Sequence, residues 1–158
     1  MSNVCCFAGH SKIYESDKLF SQISSKIEEL IINKNVSEFQ VGNYGSFDSL
    51  AARAVREVKK KYPHIQLNLV IPYLTNTINE NKNLYYKNYD NILIAAISEK
   101  TPKRFMILKC NQYMVESSQF MICFVKYSWG GAAQTLKYAQ KQKNIKIYNF
   151  AETIQCKG

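Results

Sequence analysis

No segment of this 158-residue chain approaches the roughly 20 consecutive apolar residues that a bilayer-spanning helix needs. No basic leader followed by an apolar core and a small-residue cleavage site opens it either, so the expectation is a cytoplasmic protein without membrane contact. The five cysteines, Cys5, Cys6, Cys110, Cys123 and Cys156, are odd in number, show no C-x-x-C spacing and mostly lie in apolar runs; they read as reduced core residues. No cluster of ligand-type side chains indicates a metal site, and no resident cofactor is expected. The phosphate-binding pattern G-x-x-x-x-G-K-[ST] is missing, and Gly42-x-x-Gly45 lacks the complete G-x-G-x-x-G pattern, which removes support from triphosphatase and dehydrogenase readings. Negative charge is scarce as well. Asp plus Glu number 12 against 21 Lys plus Arg, a formal charge of +9, so phosphate-bearing or polyanionic partners are attractive without charge alone choosing among them. The run Lys59-Lys60-Lys61 falls near the end of an expected helix, where cations complement the dipole, and it reads as a solvated face before it reads as a nucleic-acid patch.

What is present is a globule. Hydrophobic residues make up 46% and aromatics 13%, enough for a packed core, and the length suits one domain over 1–158. Val4-Cys5-Cys6-Phe7-Ala8 reads as a first strand ending in Gly9-His10-Ser11. Ser16 or Asp17 caps a helix whose Phe20, Ile23, Ile27, Leu30 and Ile31 recur at three- and four-residue intervals up to Asn33-Lys34-Asn35. Val36 to Val41 is a second strand, followed by the glycine turn Gly42-Asn43-Tyr44-Gly45. Ser46 is the expected N-cap of a helix with Leu50, Ala51, Ala54, Val55 and Val58 on its inner face, stopping before Pro63. Leu67 to Ile71 is a third strand. The polar stretch from Thr75 to Asn91 reads as a loop with a short helix around Leu84 to Tyr89. Ile92 to Ile97 reads as a fourth strand, or as part of a helix leading into one, since so short an apolar run does not settle its own period, and strand is preferred. Pro102 starts a helix with Phe105, Leu108, Met114 and Val115 facing inward.

The rest is organised around Phe120 to Thr135. Phe120-Met121-Ile122-Cys123-Phe124-Val125 has the continuous apolar character of a strand covered on both faces. Gly130-Gly131 then permits close approach by backbone or ligand, and a helix begins whose first turn offers free N–H groups to an anion such as phosphate. Ile145 to Phe150 is a last strand. Alternating strands and helices imply a mostly parallel sheet in a Rossmann-like three-layer α/β sandwich. Its ligand crevice belongs at the carboxyl ends of the strands, where the three glycine turns converge.

Cys5-Cys6-Phe7-Ala8-Gly9-His10, Val41-Gly42-Asn43-Tyr44-Gly45-Ser46-Phe47-Asp48, Asn111-Gln112-Tyr113-Met114-Val115-Glu116 and Trp129-Gly130-Gly131-Ala132-Ala133-Gln134-Thr135 together resemble the SLOG superfamily, which is named for the Smf/DprA and Lonely-guy proteins. The order and spacing are most similar to its small YpsA-like branch, and the likeness covers nearly the whole chain. The resemblance implies a Rossmann-like fold, a nucleotide-derived ligand and a homo-oligomer, a dimer or larger. Phosphate would lie near Gly130 and Gly131, with the other glycine turns supplying further contacts. The implied ligand-binding positions are Gly9, His10, Ser11 and Lys12 after the first strand, and Gly42, Asn43, Tyr44, Gly45, Ser46 and Asp48 after the second. Asn111 on the helix before the central strand and Trp129, Gly130, Gly131, Ala132, Gln134 and Thr135 complete the set. Lonely-guy hydrolases carry P-G-G-x-G-T-x-x-E, whose glutamate acts at the sugar; here Ala132-Ala133-Gln134-Thr135-Leu136-Lys137-Tyr138 follows the glycine pair and no glutamate stands there. The arginine usual in that family is also missing from Cys110-Asn111-Gln112, with Arg104 as its substitute a turn or two earlier.

The expectation is therefore a non-catalytic module that senses or sequesters a nucleotide-derived small molecule, such as an NAD- or ADP-ribose-derived or cyclic nucleotide signal. Its rival is a nucleotide N-glycosidase using Asp48 or Glu116 as acid or base. A third reading is DNA binding like that of the DprA branch, which rests on the positive charge and the superfamily. His10 is open between ligand contact, turn structure and proton donation. Tyr44 and Trp129 are open between base stacking and packing.

Overall fold

The computed structural model describes residues 2–151. Six strands, β1 (Asn3–Gly9), β2 (Val36–Val41), β3 (Gln66–Ile71), β4 (Asn91–Ile94), β5 (Phe120–Phe124) and β6 (Lys146–Asn149), form one sheet in the order β4-β3-β2-β1-β5-β6. All five pairings are parallel. From β1 the chain walks outward through β2, β3 and β4, then returns to lay β5 on the other side of β1. The strand order therefore reverses between β1 and β5, where an open parallel sheet leaves a crevice at its carboxyl edge.

Both faces are covered, which explains the continuous apolar strands. Helices α1 (Asp17–Lys34) and α2 (Ser46–Lys59) pack on one face over Cys5, Phe7, Phe39 and Ile122. On the other face α5 (Met106–Glu116) and α6 (Gly131–Gln140) cover Cys6, Ala8, Met121 and Cys123. Adjacent residues of β1 thus serve opposite cores, as the two-residue period of a strand requires. Cys5, Cys6, Cys110 and Cys123 are free thiols in these cores, and burial pushes Cys6, Cys110 and Cys123 up to about 12, so they are inert packing groups. Cys156 lies outside the described residues.

Local chemistry explains most element boundaries. Ser16 Oγ accepts from Leu19 N–H at 3.1 Å and starts α1, which ends at Asn35 in the left-handed region, φ 53°. Lys59 pairs with Asp90 at 2.6 Å, Lys60 with Glu57 at 2.9 Å and Lys61 with Glu28 at 2.8 Å, so the lysine run is a neutralised structural face.

Four expectations need correction. The fourth strand stops at Ile94 and does not reach Ile97: Ala95 N–H makes a last bond to Ile71 O, after which β3, its partner, has ended at Pro72. The stretch before it holds two short helices, α3 (Asn76–Glu80), capped by Thr75, and α4 (Lys82–Asn88). Pro102 precedes a 3₁₀ turn, Lys103–Phe105, rather than starting α5, and this leaves Phe105 exposed instead of inward-facing. Ser46 is the first residue of α2 and not its cap; Gly45 holds that place, and the Ser46 hydroxyl works on another loop.

Candidate functional site

The loops at the carboxyl edge are tied to one another through hydrogen bonds of the Ser46 backbone and hydroxyl. Ser46 N–H donates to Ser11 O at 2.9 Å, Ser46 Oγ donates to the same oxygen at 3.1 Å, and Ile13 N–H donates to Ser46 Oγ at 2.8 Å. Loop 10–16 is thereby clamped on the start of α2, and close packing around this end of α2 explains two glycines. A Cβ on Gly45, whose φ is +144°, would stand 2.4 Å from Ser11 Cα; one on Gly9 would stand 2.3 Å from Phe47 Cγ. Both are needed by the protein's own packing. Gly42 is less constrained, with Asp48 Oδ2 at 3.1 Å from an added Cβ.

Gly130 and Gly131 differ. Gly130 has φ +90° and caps α6 without a side-chain bond, and a Cβ on either glycine would meet nothing within 4 Å among the described residues. The first turn of α6 holds no acidic residue, and its first helical bond is Gln134 N–H to Gly130 O. The N–H groups of Gly131, Ala132 and Ala133 therefore precede the helical ladder, at the positive end of the dipole. By contrast, the start of α2 is occupied by Ser11 O and by Asp48 in its first turn.

A cleft of ≈ 440 Å³ lies between these elements, lined by Ala8, Gly9, His10, Ser11, Lys12, Tyr44, Asp48, Ile107, Asn111, Tyr127, Trp129, Gly130, Gly131 and Ala132. Asp48 is its one carboxylate among the described residues. Its Oδ2 accepts from Tyr44 N–H at 3.0 Å, and burial pushes its carboxyl up to about 6, against that hydrogen bond. His10 Nε2 accepts from Lys126 N–H at 2.8 Å and from Tyr127 N–H at 3.3 Å, and desolvation lowers its pKa. The rings of His10 and Tyr127 lie 5.1 Å apart, and Tyr127 stacks on Trp129 at 4.7 Å with 28° between planes. Trp129 remains 68% exposed, so this stack offers a bare aromatic face beside the open helix end.

Of the residues singled out from the sequence, Gly9, His10, Ser11, Lys12, Tyr44, Asp48, Asn111, Trp129, Gly130, Gly131 and Ala132 come together here. Gly42, Asn43, Gly45, Ser46, Arg104, Gln134 and Thr135 are not among its lining residues. Thr135 is buried, its hydroxyl donating to Gly131 O at 2.9 Å one turn back. Arg104 sits over the Phe105 ring at 4.8 Å. Glu116 closes α5 at the opposite end of the sheet, bonded to the Tyr138 hydroxyl. Sequence reasoning missed Ala8, Ile107 and Tyr127. Ile107 stands four residues before Asn111, the spacing that puts two residues on one helix face, and was accessible on that ground. Among the described residues no group of His, Cys, Asp and Glu is placed to hold a metal ion. No helix among them is long and apolar enough to cross a membrane.

These features define a Rossmann-like α/β protein with its cleft at the reversal of strand order. The family model described as the YspA SLOG family matches residues 7–156, and the chain belongs to that family. A curated relative, the uncharacterised SPbeta prophage-derived protein YoqJ of Bacillus subtilis, is 25% identical over 139 residues, which cover 78% of this chain and 81% of YoqJ. The fold is similar to that of DNA processing protein A from Streptococcus pneumoniae, with TM-score 0.68 and 14% identity over 98% of this chain and 52% of that one. It is also similar to DNA processing protein A from Helicobacter pylori, a structure described for its single-stranded DNA binding mode, with TM-score 0.65 and 14% identity over 97% and 67% of the two chains. The chain thus spans about half the length of the S. pneumoniae protein.

Proposed function

We propose that the cleft binds a nucleotide-derived small molecule and leaves it intact. The observation that carries this reading is the open start of α6: amides ahead of the helical ladder, two glycines with free space over their Cα atoms, and no acid in the turn. A phosphate held there lies beside the Trp129 and Tyr127 rings, which supply a surface for a base. Asp48, ionised above about pH 6, is suited to accept from a sugar hydroxyl. Turnover is disfavoured because Ala132, Ala133 and Gln134 follow the glycines with no glutamate, and Glu116 is remote. Asp48 alone would have to serve a hydrolase. Titration of the protein with adenosine 5′-monophosphate, followed by chromatography for free adenine, tests both parts. Saturable binding without adenine is expected; adenine release that Asp48→Asn abolishes would establish the hydrolase instead.

One observation favours a second reading, single-stranded nucleic acid. An exposed aromatic stack beside exposed Lys12 and Lys126 has the composition of a strand-binding surface, and the H. pylori relative is described for such binding. Affinity for oligothymidylate that falls steeply with salt, together with none for the mononucleotide, would select it.

A further inference from the structure

A second cleft, ≈ 700 Å³, adjoins the first on the α1 side of the His10–Tyr127 pair. Lys12 from loop 10–16, Lys18 from the first turn of α1 and Lys126 from the loop after β5 bring cations to it, while Tyr14, Phe124 and Phe150 bring aromatic surface. Tyr14 is 86% exposed, a conspicuous position for a large ring that packs on no core. No carboxylate lines this cleft among the described residues. Nor do Lys12, Lys18 and Lys126 form ion pairs among them, whereas Lys26, Lys59, Lys60 and Lys61 each have an acidic partner within 2.9 Å. The nearby acids are engaged elsewhere: Glu15 faces Arg53 at 3.5 Å, and Asp17 complements the dipole of α1. With three lysines and no carboxylate among its lining residues, this cleft presents positive charge to an anionic ligand.

His10, Lys12 and Tyr127 line both clefts, so the two meet at those side chains. We propose that the second cleft is a subsite for a second unit of the same ligand, making that ligand a dinucleotide, two nucleosides joined through phosphate. One phosphate lies on the α6 amides with its base against Trp129. The linkage crosses beside Lys12, and the second unit rests among Lys18, Lys126 and Tyr14. This inference rests on the proposed function of the first cleft.

The test uses the full chain and three probes: adenosine 5′-monophosphate, diadenosine pyrophosphate and 5′-phosphorylated diadenylate. Calorimetric titration of the wild type should give a dinucleotide affinity about tenfold or more above that of the mononucleotide, and the two dinucleotides distinguish a pyrophosphate from a phosphodiester link. In Lys18→Ala/Lys126→Ala that ratio should fall to about one, with Lys18→Ala alone as a milder companion and a melting curve to verify folding. A wild-type ratio of one, or a ratio the variants do not change, overturns the second subsite while leaving a bound mononucleotide, and so the first proposal, standing. Absence of binding by all three probes overturns both.

Discussion

The imidazole of His10 holds the backbone of Lys126: Nε2 lies 2.8 Å from that residue's amide nitrogen and 3.3 Å from the next. Both partners are donors, so Nε2 carries a lone pair and the neutral ring keeps its proton on Nδ1. The histidine therefore fixes the loop that presents Tyr127 and Trp129. Protonation would put a donor against two donors.

A pH dependence follows, with a defined sign. The folded pKa of His10 is below its unfolded value near 6.5, so the stabilisation is complete above about pH 6.5 and is lost as pH falls toward the depressed value. Between pH 7.5 and 5.5, the melting temperature of the wild type should lose its advantage over His10→Gln. An advantage that stays constant across that range would show that the imidazole does not carry these bonds.

Asp48 contributes with the opposite sign. Its folded pKa is raised from 3.8 to about 6, so the fold prefers the protonated acid, and relative stability is lost as pH rises through 6. Asp48→Asn retains an acceptor for Tyr44 N–H and removes the charge. At pH 8 the variant should be more stable by on the order of 2 kcal/mol, a difference that fades near pH 4. Urea midpoints at the two pH values measure it, and equal differences at both would mean that the carboxylate is solvated.

The alternation of strands and helices, the central strand and the three glycine turns were legible because burial on both faces and helix periodicity leave a direct imprint on residue order. The division of labour among the glycines was not. Gly9 and Gly45 make room for Phe47 and Ser11, residues brought there only by folding, whereas Gly130 and Gly131 face open space. A local sequence looks the same in both cases. Thr135 is absent from the cleft lining for a related reason: a hydroxyl in the first turns of a helix bonds its own backbone as readily as a ligand. Arg104 was read as standing a turn or two before Asn111 on a helix starting at Pro102, whereas it lies in the 3₁₀ turn ahead of α5. Tyr127 lies in a loop with no period to betray its direction.

The division among glycines is itself testable. Gly45→Ala and Gly9→Ala should each destabilise the fold by roughly 2 kcal/mol or more, since backbone or a buried ring must move. Gly131→Ala should change it little, or raise it by up to about 1 kcal/mol as a helix residue replaces glycine. Urea unfolding of the three variants decides; a Gly45→Ala protein as stable as wild type would mean that the clamp between Ser11 and Ser46 is not maintained.

Gly131→Asp separates folding from binding because the two respond in opposite directions. Gly131 does not share the positive φ of Gly130, so a side chain is sterically admissible there, and its Cβ would enter free space. A carboxylate in the first turn of α6 complements the dipole by about 0.3–1 kcal/mol, and the loss of a helix glycine adds to it, so the melting temperature should rise or hold. The same carboxylate occupies the position proposed for phosphate and repels it. Affinity for adenosine 5′-monophosphate should fall about a hundredfold or more, equivalent to roughly 2.7 kcal/mol. A glycine turn with only a structural role gives no reason for a more stable protein to bind less well. Unchanged affinity in a folded Gly131→Asp protein would place the phosphate elsewhere and leave the start of α6 without a ligand.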